Sequence, residues 1–107
     1  MNLSDKKCVA CEGGTAPFGE AEIASYLSQL KPGWQVINGK KVKKEFKFKN
    51  FVESIEFVNK IAAIAEAEGH HPDIYIIYNV VGIELWTHAI NGLSENDFIM
   101  AAKVENL

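Results

Sequence analysis

A stretch of helical periodicity that begins after Asn50 and stops at Gly69-His70-His71-Pro72, with a strand pair on either side, does most to limit how this chain can fold. Asn50 can cap the first turn. Phe51, Ile55, Val58, Ala62 and Ala65 then make one apolar stripe, widened by Ile61, while Glu53, Glu56 and Lys60 face water. Gly69 suits the left-handed position that ends a helix, and Pro72 prevents continuation, so His70 and His71 should emerge at a helix-to-strand junction. Before this helix, residues 34–37 and 42–48 flank Asn38-Gly39, a pair that accepts the positive φ angles of a type I′ hairpin turn. In the second of these strands Val42, Lys44, Phe46 and Phe48 alternate with Lys43, Glu45, Lys47 and Lys49, giving a buried face and a wet one. After the helix, residues 74–78 and 81–87, joined at Asn79-Val80, read as a second hairpin. Val81, Ile83, Leu85 and Thr87 share one face of its last strand, and Glu84, Trp86 and His88 the other.

A shorter helix precedes the first hairpin, with Ile23, Tyr26, Leu27 and Leu30 at helical spacing before Lys31-Pro32-Gly33 stops it. The last helix has the strongest start signal in the chain. Ser94 and Asp97 have capping-box spacing, with Asp in place of the usual Glu or Gln, and Leu93 and Phe98 stand where a hydrophobic staple forms. The order is α-β-β-α-β-β-α. It predicts one α+β domain over residues 1–107: a four-stranded antiparallel sheet with three helices packed on one face, behind a polar leader, residues 1–17, that is loosely ordered. A lone four-stranded sheet also has open edges, which association with further copies would cover.

Composition removes several classes of function. No apolar run approaches the ~20 residues that span a bilayer, and the first residues lack an apolar stretch, so a soluble, cytoplasmic protein is expected. Lys40, Lys41, Lys43, Lys44, Lys47 and Lys49 cluster, but the net charge is −3 and arginine is absent, so the run reads as a solvated strand face and direct nucleic-acid binding is not expected. Cys8 and Cys11 form a Cys-x-x-Cys in the leader, outside the strand-to-helix setting of a redox site. Two thiols supply half a zinc site, so a reduced pair, zinc binding and a redox role all remain open.

The chain has three histidines, His70, His71 and His88, and the last lies sixteen residues beyond Pro72. Their pKa near ~6.5 suits proton transfer at neutral pH. Adjacent residues in an extended segment point to opposite sides, which counts against His70 and His71 chelating one metal, and neither His-Glu-x-x-His nor Gly-x-Ser-x-Gly occurs. Two readings survive: histidines that bracket a small molecule for acid/base chemistry, or polar groups satisfied at a helix end and a strand end.

Glu66, His70-His71-Pro72, Tyr78, His88 and Asp97, at these spacings, resemble the signature of the pterin-4a-carbinolamine dehydratase family, also called 4a-hydroxytetrahydrobiopterin dehydratases. Thr87-His88, Gly92-Leu93-Ser94, Asn96-Asp97 and the cysteine-bearing leader are similar as well. The resemblance implies a cofactor-free hydro-lyase that removes water from 4a-hydroxytetrahydropterin, giving quinonoid dihydropterin for tetrahydrobiopterin recycling beside aromatic amino-acid hydroxylases. It implies His70, His71 and His88 as the catalytic set and Glu66, Thr87 and Asp97 as substrate-binding candidates, with Asp97 equally able to be only a helix cap. Trp86 departs from the small polar residue common there in animal members. The family also implies homodimers or homotetramers, and an alternative role as a non-catalytic dimerisation, coactivator or assembly module.

Overall fold

The computed structural model of the chain describes residues 2–9 and 15–107. Helix α1 (Glu20–Leu27) leads to strands β1 (Gln35–Ile37) and β2 (Lys41–Lys47). Helix α2 (Phe51–Glu68) then leads to β3 (Asp73–Ile77) and β4 (Val80–Leu85), and helix α3 (Glu95–Glu105) closes the fold. The strands form one antiparallel sheet in the order β1-β2-β4-β3, so the two hairpins meet along β2 and β4 and α2 crosses to the far edge. This is the expected α+β architecture.

Local signals set the element ends. Asn50 Oδ1 accepts the Glu53 N–H at 2.9 Å, and Gly69, at φ 65°, ends α2 in the left-handed conformation. Asn38 and Gly39 both take positive φ, as the first hairpin turn requires. The second hairpin turns one residue earlier than the sequence indicates. Ile77 pairs with Val80, so Tyr78 and Asn79 form the turn, and Tyr78 is exposed at φ 49° instead of packing in a strand. Strand β4 ends at Leu85; Thr87 makes a bridge to Gly92, and His88 begins a short 3-10 turn, His88–Ile90, beyond the strand.

The inner face of the sheet carries Val42, Val81, Ile83 and Leu85, all fully buried. Against it, α2 presents Ser54, Phe57, Ile61 and Ala65, a stripe rotated from the one expected. Phe51 and Ala62 face outward, because Phe57 and Ile61 are the large side chains that reach the sheet while Phe51 sits at the helix entry. Helix α3 is buried on nearly every side: Phe98, Met100, Ala101 and Val104 have no exposure, and Leu93 and Phe98 are buried together as the staple predicts. Replacing Phe98 by Ala would cost ~3–5 kcal/mol on that account.

The lysine run is only partly a solvated face. Lys44 lies on the inner face, opposite Ile83, with its ammonium 5.1 Å from the Phe46 ring centroid and donating to the Pro32 carbonyl at 2.9 Å. On the outer face Lys43 sits over the Tyr75 ring, which itself covers Gly82. A Cβ at Gly82 would lie 2.0 Å from that ring, which explains a glycine in a central strand. The leader is also not loose where it is described. Residues Leu3–Asp5 form a 3-10 turn with Leu3 in the core, and Lys103 donates to the Ser4 carbonyl at 2.9 Å. Cys11, and with it the Cys-x-x-Cys pairing, lies outside the described residues.

Candidate active site

The C-terminal end of α2, the N-terminal end of α3 and the segment after β4 meet at one point. There a cavity of about 500 Å³ opens, and all three histidines line it. His70 leaves Gly69 pointing inward, and its Nε2 lies 2.6 Å from Asp97 Oδ1. His71, the next residue, lines the same cavity from a more exposed position, and its Nε2 lies 2.6 Å from Glu66 Oε2. His88 lines the same cavity from the segment after β4. Its ring stacks on Trp86 with centroids 3.9 Å apart at 28°, and the Trp86 indole N–H donates to Asp73 at 3.1 Å.

Asp97 is fully buried and does two jobs at once. As the third residue of α3 its Oδ2 accepts the Ser94 N–H at 3.0 Å, completing that part of the capping box, and also the Thr87 hydroxyl at 2.8 Å. Its Oδ1 faces His70. Because Thr87 has one proton and donates it to Asp97, the Ser94 hydroxyl must be the donor in its 2.8 Å contact with Thr87 Oγ1. Every buried side-chain polar atom among the described residues is paired, so this network holds the His70 ring in one orientation. With Nε2 directed at the carboxylate, Nδ1 is the ring nitrogen left to exchange a proton.

The structure therefore brings His70, His71, His88 and Thr87 to the cavity, sets Asp97 behind His70, and leaves Glu66 exposed beside His71. Among the described residues no group of three His, Cys, Asp or Glu side chains is arranged to hold a metal ion.

Glu68, Asn96 and Val9 also line the cavity, and none of them belongs to the motif that singled out the site. Glu68 Oε1 accepts the Cys8 N–H at 2.8 Å, and this bond, with Lys103 3.8 Å from Oε2, holds the Glu68 carboxyl below its ordinary value. Burial, reinforced by the Glu68 carboxylate, pushes the Cys8 thiol up to about 12. In the sequence Glu68 stands two residues before His70 on the last turn of α2, while Asn96 and the leader entered only as further similarities beside the motif.

The chain is thus a small α+β domain, a helical layer on an open four-stranded antiparallel sheet, with a histidine-lined cavity in which His70 is held by a buried carboxylate. The family described as "Pterin 4 alpha carbinolamine dehydratase" matches residues 16–107, and the chain belongs to that family. A Rickettsia canadensis protein named "Putative pterin-4-alpha-carbinolamine dehydratase" is 53% identical over 104 residues, covering 97% of this chain and 95% of that protein. One of the same name from Alkaliphilus metalliredigens is 51% identical over 104 residues, covering 97% and 94%. Among solved structures, a transcriptional coactivator/pterin dehydratase from Brucella melitensis superposes with a TM-score of 0.79 at 36% identity, covering 84% of this chain and 96% of that one. A pterin dehydratase-like RuBisCO assembly factor of the alpha-carboxysome gives a TM-score of 0.59 at 25% identity, covering 69% and 87%. Family membership supports pterin carbinolamine dehydratase activity. No helix among the described residues is long and apolar enough to cross a membrane.

Proposed function

We propose that the chain dehydrates 4a-hydroxytetrahydropterin to quinonoid dihydropterin by histidine acid/base catalysis, and so serves tetrahydrobiopterin recycling for aromatic amino-acid hydroxylation. The observation that carries this reading is the convergence of all three histidines on one cavity, with His70 oriented by a fully buried carboxylate. Elimination breaks the C4a–O bond, delivers a proton to the departing hydroxyl and removes the N5 proton as the C4a=N5 double bond forms. It needs a donor within reach of the 4a-hydroxyl and an acceptor within reach of the adjacent N5. His70, held by Asp97, exchanges the proton at the hydroxyl through Nδ1, in the manner of an imidazole fixed by a buried Asp. His71 and Glu66 form a second, solvent-facing relay. His88, flat against Trp86, takes the N5 proton and packs along the pterin ring. Thr87 acts through Asp97.

The test follows the decay of enzymatically generated 4a-hydroxytetrahydropterin. The parent should accelerate it, and His70→Ala and His88→Ala should each lose ~10²- to 10⁴-fold. Parent decay no faster than buffer, or unchanged rates in both variants, would sink the enzyme reading and leave a non-catalytic coactivator or assembly module as the alternative. The open sheet edges, with Ile74 and Ile77 exposed on β3, favour homo-oligomers in either case. A monomer by light scattering would contradict that expectation.

A further inference from the structure

The leader supplies a wall of the cavity although it lies before residues 16–107, which match the family model. Val9 lines the cavity together with His70, His71 and His88. What holds it there is specific. Asn96, 5% exposed, accepts the Val9 N–H with Oδ1 at 3.0 Å and donates from Nδ2 to the Val9 carbonyl at 2.6 Å, so one side chain reads both backbone groups as a neighbouring strand would. One residue earlier, the Cys8 N–H donates to Glu68. Further back, Lys6 pairs with Glu95 at 3.0 Å and Leu3 is buried in the core. Both anchors sit beside catalytic positions: Glu68 two residues before His70, Asn96 one before Asp97. A tail without a role would not need a buried amide and a carboxylate satisfying its backbone at the mouth of the site.

We propose that Val9 is part of the substrate-binding site, a wall held in place by Asn96 and, through the tethered residues 6–8, by Glu68 and Glu95, that confines the pterin ring against the histidines. This rests on the dehydratase reading. Asn96 and Glu68 are positioning residues here, acting through the leader. Removing the wall should weaken binding of a flat, partly apolar ligand while the proton-transfer groups stay in place, so KM should rise and kcat should hold.

The full-length chain tests this with Val9→Pro, which deletes the N–H read by Asn96 without touching any cavity side chain of α2 or α3, and with Glu68→Ala beside Glu68→Gln, which keeps an acceptor for Cys8. Limited trypsin cleavage after Lys6 and Lys7 reports whether the leader is docked. The expected result is faster cleavage in Val9→Pro and Glu68→Ala, KM raised about tenfold with kcat within about twofold, and recovery in Glu68→Gln. Faster cleavage with parent-like KM would overturn the proposal. So would a leader that stays protected in both variants, since those hydrogen bonds would not then be what holds it. A parent that fails to accelerate dehydration would defeat the enzyme reading instead, and fluorescence titration with 7,8-dihydropterin, comparing parent with Val9→Pro, would still read the wall: equal affinities would refute it, weaker binding by the variant would support it.

Discussion

The His70–Asp97 and His71–Glu66 contacts have the same length, 2.6 Å, and opposite surroundings. In the first pair the histidine side chain is 13% exposed and the carboxylate not at all; in the second the values are 59% and 78%. The lesson is that contact distance does not measure contribution. A buried carboxylate that already accepts from Thr87 and Ser94 cannot leave its place, so it fixes His70 in position and orientation. At an exposed glutamate, water and salt compete for the same hydrogen bond.

Asp97→Asn tests the comparison most severely. Three donors converge on the carboxylate, and an amide must turn an NH₂ toward one of them. The expected cost is ~1–3 kcal/mol of stability by chemical denaturation and ~10²- to 10⁴-fold in kcat/KM. If Asp97→Asn is as stable and as active as the parent, burial does not distinguish the two pairs.

Trp86→Leu probes the outer wall, where His88 is held by stacking and not by a buried hydrogen bond. An aromatic contact of ~0.5–1.5 kcal/mol predicts a loss of roughly 2- to 12-fold in kcat/KM, restored in large part by Trp86→Phe. Equal activity of the Leu and Phe variants would mean that the stack does not position His88.

Acidification extends the comparison to the leader. The Glu68 carboxyl is held below its ordinary value mainly by the Cys8 N–H, and the Glu95 carboxyl mainly by Lys6 and then Tyr26. Groups depressed in the folded state stabilise fully above the unfolded carboxylate pKa of ~4.3, and lose that contribution as pH falls through the folded value. Amide exchange at Cys8 and Val9, corrected for its intrinsic pH dependence, should therefore lose protection below that range before the core does. Protection that persists until global unfolding would show that these carboxylates do not tether the leader.

Glu66→Gln should produce the smallest change: stability within ~0.5 kcal/mol by denaturant melt, as for other exposed pairs, and kcat/KM lowered less than about tenfold. A loss matching that of Asp97→Asn would erase the distinction between the pairs.

The sequence was most informative where the rule is local. Asn50, Gly69, Asn38-Gly39 and the Ser94/Asp97 box act within a few residues of themselves, and each sits where its chemistry places it. The rotated stripe of α2 and the displaced second turn are where several arrangements satisfy the same periodicity and long-range packing chooses among them. Phe57 and Ile61 outweigh Phe51 because they face the sheet, and Tyr78 enters the turn because Ile77 pairs with Val80. The histidines were legible as candidates, since Gly69 and Pro72 fix where His70 and His71 leave the helix. Their partners were legible only as motif positions.

What the sequence determined by itself is the order of elements, their caps, and the place where His70 and His71 leave the helix. Tertiary structure alone decided that Asp97, 27 residues from His70, would be both cap and partner, and that Asn96 would read the backbone of Val9, 87 residues away. The physical reason is range. Capping and periodicity are set by neighbours in the chain, whereas burial, and with it the difference between two contacts of equal length, is settled only when distant segments pack together and exclude water.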